Sequence, residues 1–94
     1  MKRVIGGLVY NTETMETLAA NTVYHTGNVA GSDSIRKTPG GLFALVRTSN
    51  GQDLYRQRSI EAIGLADIAA LVEGWDMDDE EIATLTGIGV IRAA

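Results

Sequence analysis

Six carboxylates fall within nine residues: Glu73, Asp76, Asp78, Asp79, Glu80 and Glu81. Acids crowded in this way can cap a helix, chelate a hard cation or meet a basic surface. Capping requires two of them. Asp78 at an N-cap with Glu81 three residues on makes a capping box, and Met77 with Ile82 makes the hydrophobic staple. The other four add negative charge to a helix N-terminus, each favourable by about 0.3–1 kcal/mol. Chelation is disfavoured, because the run lacks the alternating ligands and central glycine of a calcium loop, and no metal or other cofactor is expected. Two readings remain for the run. One is a solvated helix N-terminus. The other is a docking patch for a protein partner with a basic surface, with Trp75 beside it as an anchor.

Three arginines carry the opposite charge. An Asn50-Gly51 turn places Ser49 opposite Gln52, and hence Arg47 opposite Leu54, Leu45 opposite Arg56 and Phe43 opposite Arg58. Arg47, Arg56 and Arg58 beside an aromatic on one sheet face can hold single-stranded nucleic acid. An exposed strand whose cationic stems cover apolar neighbours looks the same. His25, the single histidine, has no acid or nucleophile near it in sequence to make it a general base. With no cysteine in the chain, a disulfide scaffold, a thiolate zinc site and a cysteine nucleophile are excluded. No nucleophile motif or phosphate loop is present, so no catalytic residue is assigned and the chain reads as a non-enzyme.

Charge is divided unevenly along the 94 residues, whose net charge is −4. Residues 1–58 hold seven lysines and arginines against four acids, a net of +3. Residues 59–94 hold Arg92 against eight acids, a net of −7. Such a chain is repelled by nucleic acid at long range and attracted to basic protein, so direct nucleic-acid binding is disfavoured. Hydrophobic residues make up 45% and charged residues 21%, values of a single folded domain spanning 1–94. No apolar run reaches the roughly 18–20 residues of a membrane span. Residues 4–10 have a short apolar stretch broken by Gly6-Gly7, which reads as the first strand of a cytoplasmic protein rather than a leader.

These groups need elements to position them. Val4 to Tyr10 is predicted as a strand. Asn11-Thr12 caps a predicted N-terminal helix, with Glu13 and Glu16 in its first turn and Met15, Leu18 and Ala19 as its apolar stripe. Thr22 to Thr26 is a short strand and Gly27 to Gly31 a loop. A meander follows: Asp33 to Thr38, a type II turn at Thr38-Pro39-Gly40-Gly41, a central strand from Leu42 to Thr48, the Asn50-Gly51 turn, and a return strand from Asp53 to Arg58. Leu42, Ala44, Val46, Tyr55 and Gln57 form the side expected to meet the helices. Leu65, Ile68, Ala69, Val72 and Trp75 give a helix over 65–75. A second helix begins at Asp78 and stops at Gly87. Ile88 to Ile91 reads as an edge strand, a possible homodimer or accessory-subunit contact.

The junction Tyr10-Asn11-Thr12-Glu13-Thr14, the meander over 33–58 and the acidic helix ending near a tryptophan over 65–75 together resemble small proteins of phages and mobile elements. The resemblance covers roughly residues 3–75. Gly64, where a polar cap is expected, and the extra segment 76–94 depart from it. Proteins of this origin include anti-CRISPR inhibitors of host defence. The resemblance therefore implies a stoichiometric binder without chemistry, acting in the host cytoplasm.

The fold expected is α+β, an antiparallel meander with one inserted N-terminal helix and C-terminal helices on one face. The function expected is blocking of a basic nucleic-acid-binding site on a defence complex by Glu73, Trp75, Asp76, Asp78, Asp79, Glu80 and Glu81. The alternatives are a nucleic-acid-binding regulator using Arg47, Arg56 and Arg58, or an interaction module.

Overall fold

Gly6 and Gly7, with φ of +59° and +79°, occupy the left-handed region that side chains resist. They therefore turn the chain instead of extending it. In the computed structural model, which describes residues 1–50 and 57–94, the predicted single strand from Val4 to Tyr10 is a hairpin. Its strands are β1 (Lys2–Ile5) and β2 (Leu8–Asn11), paired with Val4 opposite Val9 and Arg3 opposite Tyr10.

The predicted N-terminal helix is not formed, and the segment is a ten-residue strand, β3 (Glu16–His25). Its cap signals are genuine but close one turn only. Asn11 Oδ1 accepts from Glu13 N–H at 3.1 Å, and Asn11 O accepts from Thr14 N–H at 3.1 Å. The helix-like spacing of Met15, Leu18 and Ala19 has a different origin. The register breaks between Thr17 and Ala19, a β-bulge that turns the adjacent Leu18 and Ala19 toward the same core, while Met15 joins the opposite one.

β3 pairs with β4 (Asn28–Lys37) through a tight turn at Thr26 and Gly27, whose φ values are +50° and +83°. The predicted loop at 27–31 is thus mostly strand. Thr38-Pro39-Gly40-Gly41 turns as expected, with Thr38 O accepting from Gly41 N–H at 2.9 Å. The positive φ, +85°, belongs to Gly41 rather than Gly40, so the turn is type I followed by a left-handed glycine, not type II. β5 (Phe43–Ser49) follows as an interior strand.

Gly51 of the Asn50-Gly51 turn and residues 53–56 of the return strand, with Leu54, Tyr55 and Arg56, lie outside the described residues, and Gln57 and Arg58 are in no strand. The strand that pairs with β5 is β6 (Ser59–Ile63), in the order β3-β4-β5-β6. Phe43 faces Ile63, Leu45 faces Glu61 and Arg47 faces Ser59, in place of the predicted partners. Burial decides this register: Ile60 is wholly buried and Ile63 packs on the core.

Both faces of the sheet are covered. Leu18, Ala19, Ile35 and Leu45 pack against Ile68, Val72 and Leu85 of the helices, with Phe43 and Ile63 at the margin. Ala44, Val46 and Ile60 pack against Tyr10, with Ile5 and Met15. The predicted sides of β5 are therefore exchanged: Phe43 and Leu45 meet the helices, and Ala44 and Val46 meet the β1–β2 hairpin. Polar ties fasten that hairpin, since Arg3 Nη1 donates to Ile60 O at 2.9 Å and Arg36 Nη1 donates to Thr12 O at 3.4 Å.

α1 (Leu65–Leu71) starts at Gly64, whose N–H donates to Asp67 Oδ2 at 2.7 Å. It stops short of the predicted Trp75, because the chain turns at Gly74 with φ +81°. α2 (Asp79–Gly87) has the predicted Asp78–Glu81 capping box. Its left-handed stop is Gly89, not Gly87. Gly89 N–H donates to Thr86 O at 3.0 Å and Val90 N–H to Leu85 O at 3.2 Å, a Schellman motif. Ile88 to Ile91 is not a strand. Ile88, Val90 and Ile91 fold back on the helix-side core, which removes the edge-strand contact expected there. The architecture is α+β, with C-terminal helices on one sheet face and a hairpin, in place of a helix, on the other.

Candidate functional site

The acidic run occupies the turn after α1 and the first turn of α2. Glu73, Asp76, Asp78, Asp79 and Glu80 are exposed, and Glu81 is half-buried. Among the described residues none of the six forms an ion pair; the pair recorded there joins Arg47 Nε to Asp33 Oδ1 at 3.8 Å. Asp79, Glu80 and Glu81 sit in the first turn of α2, where unpaired N–H groups and the helix dipole stabilise negative charge.

Glu81 is different. Its Oε1 accepts from Asp78 N–H at 3.2 Å, while Asp78 Oδ1 accepts from Glu81 N–H at 2.8 Å. Its Oε2 accepts from Ala20 N–H of β3 at 2.8 Å. One carboxylate thus caps α2 and fastens it to the sheet edge. Glu81→Ala is expected to lower stability by about 1–2 kcal/mol, by losing its part of the capping box and the bond that ties α2 to the exposed Ala20 N–H. Glu80→Ala, one residue away and without a side-chain partner, is expected to stay within about 0.5 kcal/mol. Thermal denaturation of the two variants checks the contrast.

Between α2 and β3 lies an open groove of about 260 Å³, lined by Glu16, Leu18, Ala19, Asp78, Glu80 and Glu81 among others. Glu16 extends the acidic face, and sequence reasoning had placed it in a helix that does not form. Its membership follows from the long-range packing of α2 on β3, for which the sequence carries no local signal. Among the described residues no group of three or more histidines and acids is arranged to hold a metal ion.

Trp75 is half-buried against the helix-side core, so part of its ring is occupied within the chain. The arginine row is not assembled. Arg47 pairs with Asp33, Arg58 lies exposed outside any strand, and Arg56 is outside the described residues. The Phe43–Leu45 face proposed for nucleic acid is covered by the helices. His25 closes the β3–β4 hairpin opposite Asn28, at the opposite end of β3 from Glu16.

No protein-family model matches the chain, and neither curated proteins nor solved structures show a significant match to it.

Proposed function

We propose that this protein is a stoichiometric, non-catalytic binder that lays its acidic face on a basic, nucleic-acid-binding surface of a protein partner. The observation that carries the reading is the exposure of Glu73, Asp76, Asp78, Asp79 and Glu80 without an ion pair among the described residues. Charges left unpaired and wet steer association with the opposite sign. Inhibition of a host defence complex, in the anti-CRISPR manner that residues 10–14 and the meander resemble, is the specific form proposed, with the host cytoplasm as its place of action. No helix among the described residues is long and apolar enough to cross a membrane.

The reading is tested by capture from bacterial lysate on beads bearing the wild type or the Asp79→Lys/Glu80→Lys variant, followed by association kinetics with the captured protein. The wild type should retain nucleic-acid-binding proteins, with an association rate that falls steeply as salt rises. Reversal of two charges should slow association at low salt by about tenfold or more. Equal capture and equal rates for the two proteins would remove the reading.

A further inference from the structure

The exposed edge of the four-stranded sheet says how such a partner is held. β3 is an edge strand ten residues long. Ala20 N–H points away from β4, since it donates to Glu81. Backbone groups alternate along a strand, so Thr22 and Tyr24 also direct their N–H and C=O groups outward. The tight turn agrees, because His25 opposite Asn28 is its closing pair. Ala20 has its outward N–H satisfied by α2. Among the described residues no hydrogen bond is made to the outward groups of Thr22 or Tyr24.

Edges of this kind are ordinarily blunted by lysine, proline, shortness or a bulge along the exposed stretch. Glu16–His25 contains neither lysine nor proline. Of its two register irregularities, the one at Thr17 and Ala19 lies at the end that α2 already covers, while the one between Val23 and Tyr24 comes from an extra residue, Ala30, on β4 and leaves the alternation along β3 intact. The exposed part is bordered by two different chemistries. Toward Ala20 stand Glu16, Asp78 and Glu80. Toward the turn, Tyr24 and its cross-strand neighbour Val29 are 65% and 44% exposed.

We propose that the β3 edge at Ala20–Tyr24 takes up an extended segment of the partner as an added antiparallel strand. Its first half carries an apolar side chain against Tyr24 and Val29. Its second half carries lysines or arginines that end beside Glu16, Asp78 and Glu80. Main-chain hydrogen bonds to Thr22 and Tyr24 supply affinity, and the charges fix direction and register. Antiparallel pairing is chosen because it is the more stable ladder. The inference rests on the acidic face being the docking side, and it narrows the partner to one that presents an extended basic peptide.

The probe is a fluorescein-labelled eight-residue peptide with valines at alternate positions in its first half and three lysines in its second, titrated by fluorescence anisotropy. Thr22→Pro removes one outward N–H that the sheet itself does not use, a place where an edge tolerates proline. It should weaken peptide binding at least tenfold at unchanged melting temperature. Should that variant unfold, the wild type is titrated instead with the peptide N-methylated at the amides that would face β3, and the same loss is expected. Peptide bound equally by wild type and Thr22→Pro, or equally with and without N-methylation, but lost on Asp79→Lys/Glu80→Lys, overturns strand addition and leaves acidic docking standing. No binding of the peptide to the wild type overturns strand addition, while the lysate capture judges the docking reading separately. A wild-type dimer in light scattering that Thr22→Pro dissociates makes the occupant a second copy and also overturns the peptide proposal.

Discussion

Leu45→Ala should lower the stability of the domain by about 2–5 kcal/mol, the range for a buried leucine whose cavity cannot collapse. Leu45 is 2% exposed. It lies on the interior strand β5, within the core that joins Leu18 and Ile35 of the sheet to Ile68, Val72 and Leu85 of the helices. Neighbouring strands on both sides hold the backbone in place, so the vacated space stays open. Domains of this size are stable by about 5–15 kcal/mol in total, so the variant should be near the limit of folding at body temperature. Urea denaturation should show a lower midpoint with an unchanged slope. A loss under about 1 kcal/mol would mean that the helices do not pack on this side of β5.

Tyr10→Ala should cost a comparable or larger amount, about 3–5 kcal/mol, with a local signature of its own. A two-stranded hairpin is marginal by itself in water. β1–β2 is held chiefly by Tyr10, 5% exposed, on Ala44, Val46 and Ile60, and by the bond from Arg3 to Ile60 O. Without the ring, the amides of residues 2–11 should exchange with deuterium before those of β3 to β6. Tyr10→Phe keeps the ring and should stay within about 1 kcal/mol. Uniform exchange across the Tyr10→Ala chain would show that the hairpin and sheet open as one unit.

What could be read from the sequence was what is decided locally. The capping box of Asp78 and Glu81, the apolar stripe of Leu65, Ile68 and Val72, and the turn at Pro39 each depend on residues a few positions apart. The same local logic failed where a distant partner decides. Asn11 makes its hydrogen bond to Glu13 whether a helix or a single turn follows. Leu18 and Ala19 imitate a helical stripe because a bulge turns two neighbours to one side. Asn50-Gly51 favours a tight hairpin, yet Arg47 pairs with Ser59 because Ile60 and Ile63 have cores to fill. The exchange of the two sides of β5 follows from that register. At the acidic face the charges were legible, but the two tasks of Glu81 were not, since Ala20 stands 61 positions away.

The docking of β1–β2 on Ile60 has a consequence for biosynthesis. This layer leaves the ribosome before the four-stranded sheet, but the surface that receives it is finished only when β6 has left the exit tunnel some fifty residues later, a contact separated by 57 positions. During that interval Tyr10 and Ile5 have no place to bury. A nascent chain whose β6 is still inside the tunnel should therefore be a client for chaperones, whereas one whose β6 has emerged can seat the hairpin before α2 completes the opposite face.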